Sequence, residues 1–146
     1  MKTVLTFSFL LLISGSSLAQ TNDEDLVRRA ALNYIEGFYE GDTLKLQASL
    51  KPDLLKYGYM KDRRTGEYGD EIYMSFDQAK TFAQRVKRSG NFPSDNAPKK
   101  VEILDMMNHI AAVKITAWWG TDYMLLSKEG DKWMIGQVIW EGPLEK

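Results

Sequence analysis

The chain contains no cysteine and only one histidine, His109, in 146 residues. The first absence removes disulfides, thiolate metal ligands, lipid attachment at a thiol and cysteine nucleophiles, so an exported chain of this size must hold itself together by packing alone. The second removes any metal site that needs two histidines, and His109 itself falls in a predicted turn where a solvated role is the ordinary one. Charge excess is also missing. Nineteen basic residues face twenty acidic ones for a formal charge of −1, which gives no electrostatic reason to seek nucleic acid or an anionic membrane. No glycine-rich phosphate loop, nucleophile elbow or carboxylate-rich ion loop is visible. No metal and no resident cofactor is therefore expected.

Long apolar runs are absent as well, with one exception at the start. Lys2 precedes the run Val4 to Ile13, and "SGSSLA" follows it. That order of charge, short apolar core and small residues reads as a secretory signal cleaved after Ala19. The run is about half the length a spanning helix needs. Residues 1–19 are thus expected to be a leader, residues 20–146 one domain, and the protein secreted or periplasmic, with no membrane span in the mature chain.

What is present is a 44% hydrophobic complement, enough for a real core. Thr21 and Glu24 stand at capping-box spacing ahead of Leu26, Val27, Ala30, Ala31, Tyr34, Ile35 and Phe38, which fall on one helical face. Gly41 can end that helix, Asp42 can cap a second over "TLKLQASL", and Pro52 would stop it, which makes a helical hairpin. Leu55 to Met60 and Tyr68 to Met74 flank a polar loop and suit a long hairpin, or a strand followed by a mobile loop. Ser75 and Gln78 repeat the capping box before Ala79, Phe82, Ala83 and Val86, with Gly90 as the stop. The cations of that helix's later turns, Lys80, Arg85, Lys87 and Arg88, are read as a solvated face. After the linker "NFPSDNAPKK" the period changes to two. "VEILDMM", "IAAVKITAWW", "DYMLLSK" and "KWMIGQVIW" read as four strands of an antiparallel meander, turning at Asn108-His109, Gly120-Thr121 and Glu129-Gly130-Asp131.

If the last two turns are symmetric about Gly120 and Gly130, Ile115, Leu125 and Ile135 form one row and Ala117, Tyr123 and Gln137 the next, on the face that meets the helices. Trp133 shares that face. The reverse face would then carry Trp118, Met124, Leu126, Met134, Val138 and Trp140, too apolar to be left in water. A homodimer through it is the simplest cover, because a self-complementary face buries itself by two-fold symmetry.

"YIEGFYEGD", "SLKPDLLKYGYMKD", the helix after "YMS", and above all "IAAVKI" followed by "DYMLLSKEGDKWMIG" resemble the putative lumazine-binding family of the nuclear transport factor 2-like (SnoaL-like) superfamily. The resemblance covers nearly all of the chain after the leader. It implies an α+β cone in which N-terminal helices pack on a curved antiparallel sheet, dimerisation through the sheet, and a cavity that binds small apolar molecules or hosts isomerase, cyclase or dehydratase chemistry. Lys51 departs from the pattern: related chains often have a His there, and no role for that His is carried over.

The resemblance implies a cavity, and Tyr34, Phe38, Phe82, Trp119, Tyr123 and Gln137 would supply its aromatic wall and polar handles. The same residues at the same spacing would equally make a plain core. An enzyme would need a buried carboxylate, because burial raises a carboxyl pKa into the useful range. Asp105 is the candidate, sharing parity with Val101, Ile103 and Met107. Asp122 shares parity with Trp118 and Val138 on the reverse face. Three readings remain: a domain that binds a planar or apolar small molecule, a carboxylate enzyme, and a filled cone that serves protein interaction.

Overall fold

The structure is a computed structural model that describes residues 16–144, with side chains described from residue 22. Residues 1–15, most of the expected leader, lie outside the described residues. Among the described residues no helix is long and apolar enough to cross a membrane.

Helix α1 runs from Ser16 to Glu40, α2 from Thr43 to Ser49 and α3 from Phe76 to Ser89. Val27, Ala30, Ala31, Tyr34, Ile35 and Phe38 are all buried, as their spacing on one face requires. The helix does not begin at Thr21, because no Gly or Pro separates Ser16 from Thr21 and the helical backbone continues through it. Asp42 caps α2 by accepting from the Leu44 and Lys45 amides. Ser75 and Gln78 form a complete capping box on α3, which ends at Gly90 in the left-handed conformation.

Six strands follow or interleave: β1 (Leu50–Met60), β2 (Ile72–Met74), β3 (Lys100–Met106), β4 (Ile110–Ala117), β5 (Gly120–Glu129) and β6 (Lys132–Gly142). They form one sheet in the order β2-β1-β6-β5-β4-β3. The last four make the expected meander. The sheet is mixed rather than purely antiparallel, because β1 leaves α2 directly and lies parallel to β6. β1 and β2 are an antiparallel pair across the polar loop. Register shifts in β1, in β3 and between β5 and β6 bend the sheet over the helices, giving the α+β cone.

The strand register differs from the one drawn by symmetry about the glycines. Ala117 pairs with Gly120, so the tight turn is Trp118-Trp119, and Ile115 opposes Asp122 instead of Leu125. Gly120 is not a turn residue. It takes a φ of +149°, and a Cβ there would collide with the Glu141 carbonyl on the neighbouring strand. A slip by an odd number of residues turns every side chain of a strand over. Asp122, Met124 and Leu126 are accordingly buried under the helices, while Tyr123 and Leu125 are each 54% exposed on the outer face. On β6 the expected inward Trp133 and Ile135 are buried. A register shift at Leu125/Leu126 then sets Gln137 opposite Leu125 on the outer face and Trp140 opposite Asp122 on the inner one.

Candidate functional site

The cone is open at the end where β1, β6 and the β4–β5 turn converge on α1 and α3. A cavity of about 430 Å³ lies there. Tyr34 and Phe38 reach it from α1, Phe82 and Val86 from α3, and Trp118 and Trp119 from the turn. Lys56 and Met60 of β1, Met74 of β2, Trp140 of β6 and the Asn91–Pro93 segment after α3 complete the wall.

The rings hold one another edge to face. Phe38 lies 5.0 Å from Tyr34, 5.7 Å from Phe82 and 5.7 Å from Trp119, centroid to centroid, each pair steeply tilted. Such pairs contribute about 0.5–1.5 kcal/mol each beyond area burial, which fixes the wall in place. Trp140 reaches the cavity because residue 58 is glycine. A Cβ there would collide with the Trp140 carbonyl and come within 2.5 Å of two indole carbons, so only Gly58 lets Trp140 approach β1 this closely.

One polar cluster sits in this apolar wall. Tyr34 Oη donates to Asp122 Oδ2 at 2.6 Å, and Trp119 Nε1 donates to Asp122 Oδ1 at 2.6 Å. Lys56 Nζ donates to Tyr34 Oη at 2.7 Å and stands 3.5 Å from Asp122 Oδ2. Both carboxylate oxygens are thus engaged. The Lys56 ammonium makes one short bond and one long one, and it lies 5.3–6.0 Å from the ring centroids of Trp140, Tyr34 and Phe38. Burial pushes the Lys56 pKa down, and the nearby Asp122 charge opposes that fall without cancelling it. Burial, reinforced by the same carboxylate, pushes the Tyr34 hydroxyl well above its usual range, so Tyr34 is a neutral donor.

Of the six residues expected on the wall, Tyr34, Phe38, Phe82 and Trp119 line the cavity. Tyr123 and Gln137 do not; they lie together on the outer face of the sheet with Leu104, Leu125 and Ile139. Asp105 is exposed, its carboxylate accepting from the Met106 amide, because a register shift after Ile103 interrupts the alternation of β3. Asp122, expected outside, is fully buried. Lys56 was missed altogether. It shares its strand face with Leu54 and Gly58, both buried, while the more apolar parity in the sequence, Leu55, Tyr57 and Tyr59, points the other way. Lys51, at the position that departs from the family pattern, pairs with Glu129 at 2.6 Å, away from the cavity. Among the described residues no cluster of His, Cys, Asp or Glu could hold a metal ion.

The family model described as "Putative lumazine-binding" matches residues 22–141. The chain belongs to that family. No curated protein matches it. Among solved structures, an NTF2-like protein of unknown function from Methylobacillus flagellatus is 17% identical with a TM-score of 0.64, over 82% of this chain and 91% of the other. One from Silicibacter pomeroyi is 14% identical with a TM-score of 0.58, over 87% and 98%. A third, from Shewanella baltica, is 17% identical with a TM-score of 0.56, over 87% and 95%. At these identities the likeness establishes the fold, which is NTF2-like.

Proposed function

We propose that this lumazine-binding family member is an exported domain that holds a small planar, largely apolar molecule in the cone. The observation that carries the reading is the cavity of about 430 Å³ whose aromatic residues line the space instead of filling it. Its size falls in the range of small-molecule sites, and its polar cluster supplies the few oriented groups such sites use. The family description points the same way. The carboxylate-enzyme reading loses its candidate with Asp105 in solvent.

Export follows from the leader read in residues 1–19, and its product would begin at Gln20. The domain is a homodimer through the outer sheet face, where Leu55, Leu104, Tyr123, Leu125 and Ile139 stand exposed in the single chain. Side chains of that kind on one face are the usual mark of a subunit contact. Light scattering at micromolar concentration would give twice the chain mass, and Leu125→Glu would halve it. A wild-type monomer would refute the dimer.

Native mass spectra before and after denaturation test the binding reading, together with tryptophan fluorescence during titration with lumazine and with a flavin. A co-purifying mass or saturable quenching is expected. A bare protein with no response to either compound overturns it.

A further inference from the structure

Among the described residues, Lys56 is the one charged side chain on the cavity wall. A solvated surface lysine would do nothing to a ligand beyond attracting anions, but this one is 6% exposed and shares its surroundings with three aromatic rings. Its counter-ion is shared: Asp122 accepts from Tyr34 and Trp119 at 2.6 Å each, and Lys56 reaches the same carboxylate only at 3.5 Å. The amine is therefore held by one phenol and a distant carboxylate, with the cavity before it.

We propose that Lys56 captures an aromatic or otherwise apolar aldehyde or ketone in this cavity as a covalent imine. The inference rests on the small-molecule reading of the cavity and narrows it to carbonyl compounds. An amine desolvated in an apolar pocket is the arrangement that makes lysine a nucleophile toward carbonyls, and the direction of the Lys56 shift, caused first by burial, agrees with it.

The groups for the proton movements are in place. Lys56 gives a proton to the Tyr34 oxygen, 2.7 Å away, as Tyr34 passes its own to Asp122 Oδ2. The neutral amine adds to the carbonyl carbon, forming the C–N bond. A proton moves from nitrogen to oxygen through the Tyr34 hydroxyl to give the carbinolamine. The proton stored on Asp122 returns by the same route, the C–O bond breaks, and water leaves. The sum is an ammonium and a carbonyl going to a protonated imine and water, with no oxidant or reductant.

The test uses 2-naphthaldehyde as probe with cyanoborohydride to trap the imine, followed by intact mass and peptide mapping. 2-Naphthalenemethanol, which cannot condense, is titrated in parallel against tryptophan fluorescence. The expected result is a single fast adduct on Lys56, formed on the order of tenfold faster than adducts on exposed lysines such as Lys87, and lost in Lys56→Arg while surface labelling is unchanged. Tyr34→Phe should slow the adduct by more than any change it makes in alcohol affinity accounts for, and a rate that falls only in step with alcohol affinity would remove Tyr34 from the proton route. If the alcohol binds but Lys56 labels no faster than surface lysines, the imine inference fails and the binding reading stands. If neither probe binds, the imine inference fails, and the lumazine and flavin titrations decide the binding reading.

Discussion

Replacing Asp122 by Asn should cost far more stability than replacing Lys56 by Met, although the two are nominally partners. Asp122 accepts two bonds of 2.6 Å, from Tyr34 and Trp119, and is the carboxylate that faces the Lys56 amine. The amide introduced by Asp122→Asn keeps an acceptor for one of those donors, loses the other, and leaves a buried ammonium without a counter-ion. Breaking a buried pair from that side costs about 3–5 kcal/mol. In Lys56→Met the carboxylate keeps both short bonds and the apolar stem is retained, while the short lysine bond to Tyr34 and the long one to Asp122 are lost, for about 1–2 kcal/mol. The cost of the double variant should fall below the sum of the two by about 1 kcal/mol or more, since the thioether that replaces the ammonium needs no counter-ion.

The pH dependence carries a sign. Burial lowers the folded-state pKa of Lys56 below its ordinary 10.5, so between the two values the unfolded chain binds more protons and stability rises with pH. Loss of Asp122 removes the charge that holds the lysine pKa up, which widens that window. The deficit of Asp122→Asn relative to wild type should therefore be smaller at about pH 9.5 than at about pH 7, because the lysine pKa lowered further in the variant is passed first as pH rises. Urea unfolding followed by circular dichroism at both pH values reads all four chains. A Lys56→Met cost equal to or above that of Asp122→Asn, or a deficit that grows with pH, would refute the reasoning.

Gly58→Ala should push Trp140 and its strand away from β1, because the new Cβ would collide with the Trp140 carbonyl and lie 2.5 Å from two of its indole carbons; overpacking of this kind costs about 1–3 kcal/mol or more, read by thermal unfolding, and a ligand response diminished relative to wild type should accompany it. Ser75→Ala removes the hydroxyl that accepts from the Gln78 amide at 3.2 Å and should cost about 1 kcal/mol, with the cavity response unchanged, since the cap lies at the helix start and Phe82 and Val86 are farther along α3.

The helices were legible because each signal is local. The α1 face, the Asp42 cap, the Ser75-Gln78 box and the Gly90 stop lie within a few residues of what they control. The four-strand meander was legible for the same reason. Which face of β5 meets the helices was not, because Tyr123 and Leu125 are as apolar as Met124 and Leu126 and alternation gives no contrast. The decision falls to the turn, and two tryptophans make it while the glycine beside them serves a close approach between strands. That slip hid Asp122, and the shift at Leu125/Leu126 misplaced Gln137 and Trp140. Lys56 escaped because β1 pairs parallel to β6 across a long sequence gap, and nothing in "LLKYGY" announces that partner. Tyr34, Phe38, Phe82 and Trp119 were found on the cavity wall because three of them sit on helices, and Trp119 faces inward in either register.

The four tryptophans supply an internal control for the claim that the cone holds a planar ligand. Trp118, Trp119 and Trp140 line the cavity, whereas Trp133 is buried elsewhere with its Nε1 on Asp23 at 3.2 Å. Titration with lumazine, followed through the four indole N–H resonances in a proton–nitrogen correlation spectrum, should move the three cavity signals saturably and leave that of Trp133 still. Four unmoved signals, or a Trp133 signal that shifts while the other three stay in place, would contradict the account.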